Sequence, residues 1–457
     1  MRQGTVPQSH IEKGRKRRQR TVPCLFLERC CMKRVIALLA AALMMIGGGL
    51  AEEESDLLIE EIVEDVMLEE DGDEVPLSEV SFTSSSGDVF TPSHGSEWGP
   101  LPGEDNYWTL PMDITDEAAV WKMLMAPITV VDIGKKSGEK VQTYLYQEPD
   151  EDSLKVGVVT CESQGVRVLE TLDNGWSRVE CYSSSFHDTK VEAWNLLVNG
   201  YIKTSYLKQV NPNPSMGIVV DKLTQRLYIF QDGKLLTSLL CSTGLVMWNG
   251  SKYQPYNETR SGEFLLMSKV GNLVSDRLIC SMAIRFNSGD MVHEVPHMEN
   301  ADGTNNYSTT EFKLGTKCSH GCIRVQRNRT PEGINMSWIW KQLKNGSKVK
   351  FVIWEDWQGR QMDFPADDTP LYYNPDRGQY YHRSSFCYSA KAITFQPFSY
   401  GQLEEEPFSK LTACPFCAPP ARMADIQAVN DKYAAGGDHD ELLTRLREGY
   451  YEYLSGN

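Results

Sequence analysis

From Ile128 onward the sequence is written in short stretches that alternate apolar and polar residues, and this period of two commits most of the chain to β-structure. Such stretches fall at 128–131, 144–146, 156–160, 166–169, 176–180 and 200–202, with Asp173-Asn174-Gly175 as a hairpin turn. Several short strands at this spacing predict a small β-barrel over 126–210. Asn211-Pro212-Asn213-Pro214 is a stiff linker. A second alternating series then predicts a mainly β, sandwich-like domain over 215–356, with a helix within 328–343 and a last strand at 348–354. Before the barrel, 107–125 holds a short helix that Asp113 or Thr115 can cap and that stops before Pro127. After the sandwich come a Cys/His module at 365–420 and a helical tail at 421–457, read as helices at 423–433 and 441–453.

The first hundred residues read differently. Met32-Lys33-Arg34, an apolar run to Ile46, and Gly47-Gly48-Gly49-Leu50-Ala51 have the three parts of a secretory signal, so 1–51 is expected to be removed after Ala51, with Met32 the true start. Only if that segment is retained would it hold the protein at a membrane. Residues 52–106 are first a run of carboxylates and then Ser, Gly and Pro, the composition of a solvated spacer. Acidic residues exceed basic ones by 16, which argues against nucleic acid and anionic lipid as partners. The expected location is therefore outside the cell, where cysteines can oxidise.

Chemistry concentrates in Lys317-Cys318-Ser319-His320-Gly321-Cys322-Ile323-Arg324-Val325. A thiol after Gly321 opens a strand, and a residue without Cβ lets backbone amides close on a bound carbonyl. Cys322 needs a base to become a nucleophile. His320 is too near in sequence to turn its ring on the thiol easily, so His293 is the better candidate, with His297 competing. The amides of Gly321 and Cys322 are the expected oxyanion donors. Taken alone, a cysteine in an apolar strand is a small buried hydrophobe.

The run resembles the signature of the L,D-transpeptidase family: an upstream His293, then Ser319, His320, Gly321 and Cys322, an apolar Ile323 and Arg324. Other family-like stretches span about 217–354, including Asp232-Gly233-Lys234, Cys241-Ser242-Thr243-Gly244 and Thr259-Arg260-Ser261-Gly262. The gap between His293 and Ser319 is longer than is usual there, and 299–307 reads as a loop insertion. The resemblance implies an enzyme that attacks peptidoglycan stem tetrapeptides with Cys322, releases D-Ala and forms 3→3 cross-links without a cofactor. His293 would be the base, and Ser319 and His320 would hold the loop. Arg324 would either bind a substrate carboxylate or brace the catalytic loop. A carboxypeptidase or protein-anchoring acyltransferase of the same fold, and a non-catalytic wall-binding adaptor, are the alternatives.

The barrel stretch resembles the bacterial SH3-like domain through Asn174-Gly175-Trp176 and 199–207, and Tyr144, Tyr146 and Trp176 either line a peptide groove or fill its core. Cys161 and Cys181 lie on neighbouring expected strands. In the last module His382, Cys387, Cys414 and Cys417 offer four ligands in a His-x4-Cys and Cys-x2-Cys pattern that looks like a small structural zinc module, with a disulfide as the rival. Few apolar residues surround them in sequence, so metal is expected to supply the folding free energy.

Overall fold

The computed structural model describes residues 82–83, 89–90, 113–134, 141–185, 191, 193–246, 257–275, 277–344, 346–356, 360–376, 378–387, 394–434, 450 and 453–454. The expected signal segment, nearly all of the acidic spacer and most of the second tail helix lie outside them. Every described element belongs to one compact unit within residues 76–457. Among the described residues no helix is long and apolar enough to cross a membrane.

The protein is mainly β. A short pair, Phe82–Thr83 (β1) with Val89–Phe90 (β2), precedes the first helix, Glu117–Met125 (α1). Asp116, not Asp113 or Thr115, caps α1 by accepting from the Ala119 N–H, while Asp113 accepts from Thr115 one turn earlier. Ile128–Val131 (β3) pairs with Leu207–Val210 (β9). Between them a five-stranded antiparallel sheet runs in the order β5-β4-β8-β7-β6. Its strands are Gln142–Tyr146 (β4), Lys155–Thr160 (β5), Arg167–Thr171 (β6), Trp176–Tyr182 (β7) and Leu197–Lys203 (β8). The sheet wraps a core of Val, Leu and Ile side chains to which Cys161 and Cys181 both contribute. Tyr144, Tyr146 and Trp176 lie together on a groove with Lys203 and Tyr206, and Tyr146 meets Trp176 edge to face at 6.0 Å.

The larger sheet has nine strands in the order β13-β20-β10-β11-β12-β19-β16-β15-β14. In chain order they are Met216–Asp221 (β10), Arg226–Gln231 (β11), Lys234–Ser242 (β12), Gly262–Leu265 (β13), Lys269–Ser275 (β14), Leu278–Asn287 (β15), Asp290–Glu294 (β16), Ile323–Val325 (β19) and Lys350–Trp354 (β20). The short pair Met298–Glu299 (β17) and Asn305–Asn306 (β18) forms a hairpin in the stretch after β16. Alternation explains how one strand serves two cores. Met216, Ile218 and Val220 of β10 face the main core, and Val219 faces a second core built on Val120, Met123 and Leu124 of α1. Phe264, Phe286 and Phe351 meet at 5.2–5.3 Å, so β13 and β20 fold over β15. Buried Lys350 on β20 donates to the Met123 and Ala126 carbonyls at the end of α1 and pairs with Glu263 at 2.6 Å.

The helix expected within 328–343 is Met336–Gln342 (α2), shorter because Pro331 and Gly333 break the pattern before its cap, Asn335. The C-terminal module is a four-stranded sheet, β23-β21-β22-β24, from Pro370–Tyr373 (β21), Tyr380–His382 (β22), Gln396–Ser399 (β23) and Thr412–Ala413 (β24). It does have an apolar core: Leu371, Tyr381, Phe398, Tyr400, Leu403 and Leu411 bury one another. The expectation of too little apolar material failed because those residues are scattered over forty positions and become neighbours only through the sheet. Met423–Ala434 (α3) follows.

Candidate active site

Two adjacent parallel strands bring the chemistry together. On β16 and β19 the register is Val292 with Ile323 and His293 with Arg324. Val292 and Ile323 both enter the main core, so His293 and Arg324 share the opposite face. Cys322 immediately precedes β19 and, by the same alternation, lies on that face beside Met291 and diagonal to His293. Nδ1 of His293 donates to the Glu294 carbonyl at 2.6 Å. A carbonyl can only accept, so this bond fixes the proton on Nδ1 and leaves Nε2 as the basic nitrogen.

The loop before Cys322 is held from three sides. Gly321 has φ +114°, and a Cβ there would stand 2.5 Å from Asp290 Oδ1, so no other residue fits without displacement. The Thr259 hydroxyl donates to the Gly321 carbonyl at 2.9 Å and accepts from the Gly244 N–H at 2.7 Å. Ser319 Oγ donates to the Cys322 carbonyl and accepts from the Gly321 N–H at 3.3 Å. The Gly321 amide, expected to face an oxyanion, is thus directed at a hydroxyl inside its own loop. His320 is exposed. Arg324 is buried and donates to Cys318 Sγ at 3.3 Å.

Electrostatics favour a neutral pair. Burial pushes the Cys322 thiol up to about 12; Asp290 and Cys280 add to this, against the Met291 N–H and Arg324. Burial also lowers His293 to about 4, overcoming its carbonyl bond, and Arg324 lowers it further. Asp290 is raised to about 6 by burial although Arg260 lies 3.3 Å away.

His297 sits past β16, where its backbone pairs with Ile279 and its ring rests 5.1 Å from Tyr307. Burial lowers its pKa as well. Among the described residues its Nδ1 has no hydrogen-bond partner, in contrast to Nδ1 of His293.

The structure also brings together groups that the sequence did not mark. Lys317, at the head of the loop, meets Asp356 at 2.5 Å and Glu258 at 3.7 Å. Fully buried Lys222 joins Glu258, Glu355 and Asp356, and the Tyr433 hydroxyl of α3 donates to Asp356 at 2.7 Å. These side chains come from segments up to about two hundred residues apart, and each alone reads as a surface charge. Asp290 likewise reads as a turn residue after Ser288-Gly289. In the last module, the ligand atoms of His382, Cys387, Cys414 and Cys417 all lie within 4.8 Å of one another, in a buried cluster able to hold a metal ion.

Among known families, the YkuD model, described as the L,D-transpeptidase catalytic domain, matches residues 215–351. No curated protein matches the chain. Similar solved structures include an L,D-transpeptidase (residues 123–326) from Xylanimonas cellulosilytica, at 17% identity and TM-score 0.22, covering 31% of this chain and 60% of that one. The chain therefore spans less than two thirds of that relative. An L,D-transpeptidase from Mycobacterium smegmatis is 14% identical (TM-score 0.24, 51% and 92% covered), and one from Mycobacterium tuberculosis H37Rv is 15% identical (TM-score 0.25, 51% and 92% covered). By the family match, residues 215–351 are an L,D-transpeptidase catalytic domain.

Proposed function

We propose that the protein is a peptidoglycan L,D-transpeptidase that works through a Cys322 thioester. The carrying observation is the pairing of β16 with β19, which sets His293, its Nδ1 committed to the Glu294 carbonyl, on the same face as the thiol. That arrangement supports His293 over His297 as the base. With both groups neutral near pH 7, the thiolate forms as it attacks rather than standing as an ion pair.

Nε2 of His293 takes the Cys322 proton while sulfur bonds to the carbonyl carbon between the diamino acid and the terminal D-Ala of a stem tetrapeptide. The tetrahedral oxyanion then collapses, the C–N bond breaks, and the imidazolium returns its proton to the departing D-Ala amine. The side-chain amine of a second stem peptide attacks the thioester, its proton passes to His293 and back to sulfur, and a 3→3 cross-link results. The sequence balances without a cofactor. Gly321, Ser319 and Thr259 hold the loop, and because the Gly321 N–H is directed at Ser319 Oγ, the Cys322 N–H is left as the oxyanion donor of the two. Buried Arg324, held on Cys318, braces the loop.

Purified tetrapeptide incubated with the enzyme is expected to give free D-Ala and a cross-linked dimer by mass spectrometry, and Cys322→Ala to give neither. Tripeptide without dimer would make water the acceptor and the enzyme a carboxypeptidase. Unchanged D-Ala release by Cys322→Ala would sink the reading. Stem peptides are then the partners, and the site of action is the wall outside the cell.

A further inference from the structure

The four-ligand cluster at the end of the chain is not used by this reaction. β22 runs parallel to β24, so His382 ends one strand as Cys414 follows the other. Cys387 comes from the turn after β22, and the tight Cys414-Pro415-Phe416-Cys417 loop supplies the last sulfur. Cys387 Sγ lies 3.8 Å from Cys414 Sγ, and His382 Nδ1 lies 3.7 Å from Cys417 Sγ. A disulfide needs about 2.05 Å. Ligands at zinc–sulfur and zinc–nitrogen lengths on a tetrahedron stand about 3.8 and 3.6 Å apart, close to what is found. The Arg383 N–H points at Cys417 Sγ at 3.4 Å, the sort of outer bond that settles a metal-bound thiolate. Phe395 covers the His382 ring at 4.5 Å, which keeps water out.

The same loop is tied to the catalytic sheet. Arg226 of β11 donates to the Ala418 carbonyl at 2.7 Å, and Gln326, the residue after β19, donates to the Phe416 carbonyl at 3.3 Å. Arg383 donates to the Cys417 carbonyl at 2.6 Å and reaches Glu332, which in turn accepts from Thr237 of β12. These carbonyls face outward in register only while the loop keeps its shape, and four ligands on one ion would keep it.

We propose that His382, Cys387, Cys414 and Cys417 bind one zinc ion, and that the metal-closed loop braces the end of the strand that carries Cys322. The site holds whether or not Cys322 is a transpeptidase nucleophile, so the two readings fail separately. Zinc fits a buried, closed set of one imidazole and three thiolates better than the oxygen-seeking cations do.

The test uses the whole chain, purified without chelator. Elemental analysis is expected to give one zinc per chain, and cobalt exchanged for it to show the visible bands of a tetrahedral thiolate site. Cys417→Ser is expected to lose both. Because that variant can fail to fold, the wild-type metal content decides the site: substoichiometric zinc in folded protein, iron in its place, or a Cys387–Cys414 disulfide in non-reduced peptides would each overturn it. Hydrogen exchange decides the brace. Stripping zinc is expected to raise exchange at least tenfold both in 380–417 and at Val325 and Gln326. Arg226→Gln is expected to keep the zinc and loosen only the catalytic side. Exchange confined to the module after stripping would overturn the brace.

Discussion

At the scale of single residues the proposed reaction turns on a thiol and an imidazole that burial keeps uncharged. His293 has a folded pKa of about 4 against 6.5 in an unfolded chain, so the unfolded state binds the proton more readily between those values. Its neutral burial therefore contributes stability that is fully present above about pH 6.5 and is lost as pH falls through 4. The gap corresponds to about 3 kcal/mol. Asp290 acts in the opposite sense: its raised value, about 6, favours the fold at low pH and loses that advantage as pH rises through it. The two nearly cancel in the wild type, so the difference between wild type and His293→Gln isolates the histidine. That difference is expected to shift by about 3 kcal/mol in favour of the wild type from pH 4 to 6.5 in urea unfolding. Catalysis should show the same value, with the acid limb of kcat falling near pH 4 rather than near 6.5, and with no thiolate absorbance in the resting enzyme at neutral pH. Gly321→Ala tests the loop. Positive φ costs a residue with Cβ about 1–2 kcal/mol, and the contact with Asp290 adds to it, so a lower melting midpoint and a larger loss of kcat than of substrate binding are expected.

At the scale of elements, the loop before Cys322 leans on a buried ionic cluster closed by helix α3. Tyr433 of α3 donates to Asp356, and Asp356 holds Lys317 at the head of the loop. Hydrogen bonds to charged groups are worth about 1.5–3 kcal/mol, so Tyr433→Phe is expected to cost about 2 kcal/mol. Lys317→Met removes one partner of a buried pair and is expected to cost about 3–5 kcal/mol, unless Lys222 alone neutralises Asp356, in which case calorimetry will find almost no change. None of this was legible in sequence. The strands were, because alternation is local: β3, β4 and β7 fall on the stretches read at 128–131, 144–146 and 176–180. The Cys322 loop was legible too, since its residues are contiguous and Gly321 serves a backbone angle that the turn demands. The cap of α1 was misread by one to three residues because Asp113, Thr115 and Asp116 all qualify chemically, and only the path of the chain chooses. The ionic cluster and the module's core are long-range products of sheet topology, which single stretches do not encode.

At the scale of the molecule, the chain's last described residues return to the five-stranded sheet. Tyr450 and Leu454 are buried in the core of the five-stranded sheet, and the Tyr450 and Tyr453 hydroxyls donate to the carbonyls of Val156 and Lys155 at 2.5 and 2.7 Å. Strand β5 is an edge of that sheet, so these two bonds cover carbonyls that an exposed edge would offer to another chain. A segment about three hundred residues away thus finishes the N-terminal core. Leu454→Ala opens a cavity in that core and is expected to cost about 2–5 kcal/mol. If the tail serves only this sheet, the loss will appear as faster hydrogen exchange in β4 and β5, with an unchanged rate of Cys322 acylation by a β-lactam. If the tail also carries load between the sheets, acylation will slow together with the loss of protection. The first outcome is expected, because Tyr450, Tyr453 and Leu454 touch the core and edge of the small sheet, whereas the catalytic loop takes its support from α3 through Asp356 and Lys317.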